Sequence, residues 1–216
     1  MGYILQTQDT YDSVKNNIAM SNTAISVIES YLSSTDVLYE YGSGGSTLWF
    51  APLIKKLYSV EHDTSWYNKI KDLVHDNTKL NLVPMHDPID FDKITDEFVK
   101  ELMGDAYPGG TTKTHWQRYS NYIRSIESVT EPIDKLIVDG RHRALCAYHA
   151  YEFIKKDAIV IFDDWNRSAY HGVLKFYDII EVINKFDKST GRPEFELYPN
   201  GSSHNKMTAI LRKKSL

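Results

Sequence analysis

The chain has 216 residues, of which 42% are hydrophobic and 25% charged, proportions of a folded globular protein and not of a disordered or collagen-like one. That length suits one substantial core, so residues 1–216 are read as a single domain, and a net charge of −4 offers no overall attraction for nucleic acid or an anionic membrane. Cys146 is the one cysteine, so no intramolecular disulfide forms, and no stretch has the form of a signal peptide or membrane span; a cytoplasmic protein is expected.

Residues 23–31 place apolar side chains at helical spacing, and Ser34 with Thr35 ends that helix, so residues 1–34 read as a helical flank or lid ahead of a core at 35–216. From there short Val-, Ile- and Leu-rich runs alternate with segments of helical period. Strands are predicted at 36–40, 57–60, 80–83, 135–138 and 158–162, and helices at 46–56, 64–75, as a pair within 91–128, and at 142–155. That alternation predicts an α/β fold with a mostly parallel sheet covered by helices on both faces. Two further strands, 178–182 and 207–211, have no helix between them and read as an antiparallel pair; the connection 185–206, with Gly191, Pro193, Pro199 and Gly201, reads as a long loop. Cys146 lies among Ala144, Leu145 and Ala147 and is expected to be a buried, unreactive thiol.

The first strand runs into Glu40, Tyr41, Gly42, Ser43, Gly44, Gly45, Ser46 and Thr47. Glycines there allow positive φ and a ligand close to the backbone, and the helix that follows offers its free N–H groups. A dinucleotide fingerprint needs glycine at the first, third and sixth positions, and the sixth position from Gly42 is Thr47. Glu61 stands 61 − 42 = 19 residues beyond Gly42, close to the spacing of about 20 expected for a carboxylate on a ribose, whichever cofactor carries it.

EYGSGGST followed by YSVEHDTSWY resembles motif I and the second-strand acid of class I S-adenosylmethionine (SAM)-dependent methyltransferases. The resemblance implies their Rossmann-like fold, a seven-stranded sheet ending in an antiparallel pair. It also implies a cofactor site made by Glu40 near the methionine amino group, by Gly42, Ser43, Gly44, Ser46 and Thr47 along the turn, by Glu61 and His62 at the ribose, and by Trp66 along the adenine. His86 and Asp87 fall where the family contacts the adenine amino group.

The fourth and fifth strands end in Asp139, Gly140, Arg141, His142, Arg143 and in Asp163, Asp164, Trp165, Asn166, Arg167. Ligands of open α/β sheets bind beyond such strand ends, so these charges should converge on one cleft. VDGRHRALCAYHA with IFDDWNRSAYH is similar to a subgroup from algae, protists and large algal viruses, some of whose members resemble sugar O-methyltransferases acting on rhamnose in glycans. This implies a carbohydrate acceptor held by Arg141, Arg143, Trp165 and Arg167. The pattern also resembles metal-dependent O-methyltransferases, with Asp139, Asp163 and Asp164 holding Mg²⁺ or Mn²⁺ and His142, Asp139 or Asp164 handling the proton. The other reading of these acids is that they pair with the arginines. Trp116, Tyr119 and Tyr122, within 107–126, read either as a lid over the acceptor or as a core stripe. The rivals kept open are a phenol or catechol methyltransferase, an NAD-dependent oxidoreductase and a SAM-binding module without catalysis.

Overall fold

A computed structural model describes residues 2–88, 94–103, 115–183 and 206–215, with short pieces at 186–187, 192–193, 196–197, 199 and 203–204. The elements that position the site are α1 (Gly2–Asn16), α2 (Asn22–Tyr31), β1 (Val37–Tyr41), α3 (Gly45–Phe50), β2 (Lys56–Glu61), α4 (Thr64–Ile70) and β3 (Thr78–Leu82). They are followed by α5 (Asp96–Met103), α6 (Ser120–Arg124), β4 (Ile133–Val138), α7 (Arg143–Ala150), β5 (Ile154–Asp163), β6 (Tyr177–Ile183) and β7 (Thr208–Lys213). One seven-stranded sheet has the order β3-β2-β1-β4-β5-β7-β6. Its first five strands are parallel and β7 runs antiparallel to both β5 and β6. This is the predicted α/β architecture, a Rossmann-like sheet closed by an antiparallel pair. The predicted loop 185–206 and the start of the predicted segment 107–126 lie largely outside the described residues.

Strand side chains alternate between two cores, as period-two geometry requires. Tyr39, Tyr41, Leu136, Val138, Val160 and Phe162 pack with α5, α6 and α7 on one face. Leu38, Leu57, Ile137, Ile161 and Ile210 meet Ile25, Ile28 and Phe50 from α2 and α3 on the other. All five side chains of β1 are buried, because helices cover both faces there. α1 docks on this body by seating Val14 against Leu48 and Ile70, so the N-terminal flank holds a second helix ahead of the one predicted at 23–31.

Helix ends depart from the sequence reading for local reasons. α3 stops at Phe50 and gives way to one 3-10 turn at Ala51–Leu53, since Pro52 has no N–H to continue the ladder; Asn77 Nδ2 donates to the carbonyls of Ala51 and Ile54 at 2.8 Å each. α7 stops at Ala150 because Ile154 already pairs with Ile133 in the sheet. Asp63 caps α4 by accepting from Trp66 N at 2.7 Å. Among the described residues no helix is long and apolar enough to cross a membrane.

Candidate functional site

The carboxyl ends of β1, β2 and β4 surround a cavity of about 290 Å³, near the lower end of the usual range for small-molecule sites. Gly42 to Ser46, Glu61, His62 and Trp66 form one side, Asp139, Gly140, Arg141 and Arg143 the other, and Asn17 with Ala19 a third. The last two come from the turn between α1 and α2. Sequence reasoning placed this flank near the site without naming them, since nothing in their own chemistry marks them.

The glycines of the turn have different reasons to be glycine. Gly42 has φ +93, and a Cβ there would lie 2.6 Å from Gly140 Cα, so the ends of β1 and β4 touch backbone to backbone. A Cβ on Gly45 would come within 2.6 Å of Ile18 N, which lets the α1–α2 turn close over α3. Gly44 is extended, with φ 171, and a Cβ there would meet only the edge of the Trp66 indole at 3.7 Å, an ordinary contact. Protein packing therefore does not require glycine at position 44; the open space in front of it belongs to the cavity.

Glu40 is fully buried behind the turn and is not part of the cavity wall. β1–β2 register sets Ser59 beside it, and α3 supplies two more hydroxyls. Ser46 Oγ donates to Oε1, while Thr47 Oγ1 and Ser59 Oγ each donate to Oε2 at 2.6 Å. Ser43 Oγ meets Ser59 Oγ at 2.6 Å, and Thr47 Oγ1 accepts from Gly44 N at 2.8 Å. Burial raises the Glu40 pKa to about 7 against the lowering effect of its three donors, with a small further rise from Glu61. So Glu40 fixes the shape of the turn from behind, Ser46 contributes both to that network and to the wall, and Thr47 is buried outside the cavity. Ser59, missed in the sequence, was signalled by a hydroxyl in an otherwise apolar strand beside one that buries a carboxyl.

Glu61 ends β2 with Oε1 accepting from the backbone N–H groups of His62 and Asp63, both at 2.7 Å. Among the described residues no donor is bonded to Oε2. His62 Nδ1 lies 2.8 Å from Glu61 Oε1 but without hydrogen-bond alignment. Trp66 Nε1 donates to Ser43 O at 2.8 Å, bracing the glycine turn. His86 and Asp87 are absent from the cavity wall; His86 Nε2 faces Ser120 Oγ at 3.3 Å, which ties that loop to α6.

The acids of the fourth and fifth strand ends do converge, but around a side chain. Arg143 NH2 lies 2.9 Å from Asp139 Oδ1 and 3.3 Å from Asp164 Oδ2, and its NH1 lies 3.2 Å from Asp163 Oδ2. Arg167 NH2 and Lys206 Nζ add 3.0 and 3.6 Å contacts to Asp164, and Thr208 Oγ1 donates to Asp163 Oδ1 at 3.2 Å. Burial opposes the charge of Arg143, yet the three carboxylates outweigh it and raise its pKa. The expected Mg²⁺ or Mn²⁺ site is therefore corrected. Among the described residues no group of three His, Cys, Asp or Glu side chains is placed to hold an ion, because a guanidinium stands between the carboxylates a dication would need.

Asp139 alone of the three acids lines the cavity. Burial raises its pKa well above the ordinary range, Asp163 beside it adds to the rise, and Arg143 pulls it back. His142 is not on the cavity wall. It occupies the left-handed region at φ 49, ψ 42, with its ring 4.8 Å from Tyr119 and 5.0 Å from His115. Burial, then the neighbouring His115, Arg141 and His62, lower its pKa to about 3. Of the residues expected to handle the proton, His142 and Asp164 are off the cavity wall and Asp139 is on it.

The remaining acceptor-side expectations divide. Arg141 and Arg143 line the cavity and Arg167 does not. Trp165 is 4% exposed, packs on Phe162 at 5.3 Å and His171 at 4.7 Å, and donates its backbone N–H to Met207 O. It is a core residue, and its substrate-binding expectation is corrected. Trp116, Tyr119 and Tyr122 are buried in the same core, with Tyr122 Oη beneath Gly140. Cys146 is buried as expected, burial holding its thiol well above the usual range.

No protein-family model matches the sequence, and a search of curated proteins gives no match. Solved structures do resemble it. A methyltransferase-like protein from Silicibacter pomeroyi superposes over 93% of this chain and 90% of its own, with a TM-score of 0.58 at 21% identity. The precorrin 8W decarboxylase of Methanobacterium thermoautotrophicum covers 93% of both chains at TM-score 0.54 and 15% identity. An rRNA methylase from Streptococcus thermophilus matches 88% of this chain and 93% of its own, at TM-score 0.52 and 14% identity. At these identities the likeness is one of architecture, and the chain shares the Rossmann-like fold of these structures.

Proposed function

We propose that the protein is a SAM-dependent O-methyltransferase whose acceptor is a hydroxyl of a carbohydrate. The observation that carries the cofactor reading is the pairing, across one cavity, of a turn glycine that protein packing does not need, Gly44, with an acid, Glu61, whose Oε2 has no donor bonded to it among the described residues. A cofactor that lays its chain over the turn and its ribose against β2 uses both. The sulfonium of SAM supplies an electrophilic methyl group when bound, so the chain needs only to orient the acceptor oxygen and take its proton. Asp139, on the cavity wall beside Arg143, is placed to accept that proton, and the guanidinium holds the resulting charge cluster together. The sugar acceptor rests on the resemblance of the two strand-end motifs and on the polar cavity wall at Asp139 and Arg141.

Calorimetric titration with SAM, S-adenosylhomocysteine and NAD tests the cofactor. Wild-type protein should bind the first two and not the third. Glu61→Ala should lose about 10- to 100-fold in affinity, the worth of hydrogen bonds to a charged group, and Gly44→Val should lose at least as much because its side chain fills the cofactor's space. Near-wild-type affinity in both variants, or preference for NAD, overturns the assignment. Transfer of labelled methyl groups from SAM to a panel of glycosides and catechols tests the acceptor; turnover of catechols with none of glycosides overturns it.

A further inference from the structure

We propose that Arg141 recognises a negatively charged group on the acceptor, so that the sugar methylated is an acidic one carrying a carboxylate or a phosphate. This rests on the methyl-transfer reading above. The charged side chains around it at the ends of β4 and β5 are matched internally: Arg143 by Asp139, Asp163 and Asp164, and Arg167 and Lys206 by Asp164. Arg141 takes part in none of these pairs, is exposed, and lines the cavity next to Asp139. Among the described residues no acid compensates the positive charge it brings to the wall.

The backbone that carries Arg141 is fixed on every side. Gly140 is pressed between Tyr122 Oη and the backbone of Gly42, a Cβ on it lying 2.0 Å from the former. Gly140 O accepts from Arg143 Nε at 3.1 Å, and Arg141 O accepts from Cys146 Sγ at 3.3 Å. His142 is held in the left-handed region, a costly conformation for a residue with a Cβ, while its ring packs at a tilt against Tyr119 and His115. A segment strained at His142 and bonded at Gly140 O and Arg141 O, presenting to a cavity a guanidinium without an ion-pair partner among the described residues, is preorganised for an anion, and the planar fork of arginine fits the two oxygens of a carboxylate or phosphate. Arg141 also sits on the Asp139 side of the cavity, opposite Glu61 and Trp66, where the acceptor must approach.

The probes are methyl β-D-glucuronide, glucose 1-phosphate and methyl β-D-glucoside, each titrated by calorimetry into protein saturated with S-adenosylhomocysteine. Wild type should bind at least one anionic probe about tenfold or more tightly than the neutral glucoside, and the uronate and phosphate arms identify which anion is meant. Arg141→Ala should weaken the anionic probe by about 10- to 100-fold and erase the preference, with Arg141→Lys recovering part of it by restoring charge without the fork. Absence of an anion preference in the wild type, or its survival in Arg141→Ala, overturns the proposal. So does an Arg141→Ala variant that loses affinity for S-adenosylhomocysteine and keeps its sugar preference, which would assign the guanidinium to the cofactor's own carboxylate. Wild-type protein that fails to bind S-adenosylhomocysteine at all would instead overturn the methyl-transfer reading, and the sugar titrations repeated without it still decide Arg141.

Discussion

Glu40→Gln should make the protein more stable at pH 8 and leave it nearly unchanged at pH 4.5. Burial lifts the Glu40 pKa from 4.5 to about 7, so the folded state holds its proton more tightly than the unfolded chain. Folding therefore takes up a proton in this window. The contribution of Glu40 to stability is greatest below 4.5, falls as pH rises towards 7, and levels off above it. At about 1.4 kcal/mol per pH unit, the gap corresponds to about 3 kcal/mol lost by the wild type at pH 8. A glutamine avoids that loss if its hydrogen bonds survive. Its carbonyl can take the Oε2 position and accept from Thr47 and Ser59, while the amide nitrogen faces Ser46, whose hydroxyl turns to accept. Urea denaturation of both proteins from pH 4.5 to 8 measures the difference, in which titrating groups that do not interact with Glu40, Asp139 included, cancel and the small Glu61 interaction alone remains. A difference that does not change with pH would refute the assigned titration, and a variant progressively less stable towards pH 8 would show that the fold favours the carboxylate.

Gly140→Ala should destabilise by about 1–3 kcal/mol, since its Cβ would lie 2.0 Å from Tyr122 Oη and 3.0 Å from Gly42 N. Adding Tyr122→Phe should recover part of that loss in chemical denaturation; no recovery would mean that the backbone of Gly42 sets the whole penalty. Arg143→Ala should cost about 3–5 kcal/mol at neutral pH by leaving buried carboxylates uncompensated. Methyl transfer by the wild type should continue at full rate in EDTA, and a loss reversed by Mg²⁺ would refute the reading of Arg143 as the cation of this cluster.

Much of the sheet was legible because parallel strands covered on both faces read as short apolar runs, and every predicted strand is present. Helix ends were less so. Pro52 already bars a helix as long as 46–56, while the 3-10 turn around it is tied by Asn77, which reaches back 26 residues to Ala51 O. The roles of the turn residues were only half visible. That Gly42, Gly44 and Gly45 belong together follows from their spacing, but which of them serves packing and which the cavity depends on Gly140 and Ile18, distant in sequence. Trp165 shows the same limit from the other side. An aromatic ring among charged residues at a strand end suggested an acceptor contact, yet its indole folds back on Phe162 and His171.

In the acid cluster the alternative reading, acids paired with the arginines, is the arrangement found, and the start of α7 gives a reason to prefer it. Asp139 and Arg143 are four residues apart, and once a helix starts at Arg143 the arginine sits at its positive end, where a cation is unfavourable. Such a placement needs compensating acids, and Asp163 and Asp164 on the adjacent strand end provide them with Asp139. The three acids that pattern-matched a metal site are thus the counter-charge that allows a buried arginine at the start of α7. In the methyl transfer proposed above, with Arg143 in the place of a dication, activation of the acceptor hydroxyl would fall to a carboxyl on the cavity wall, and Asp139 is the acid of the cluster that lines it.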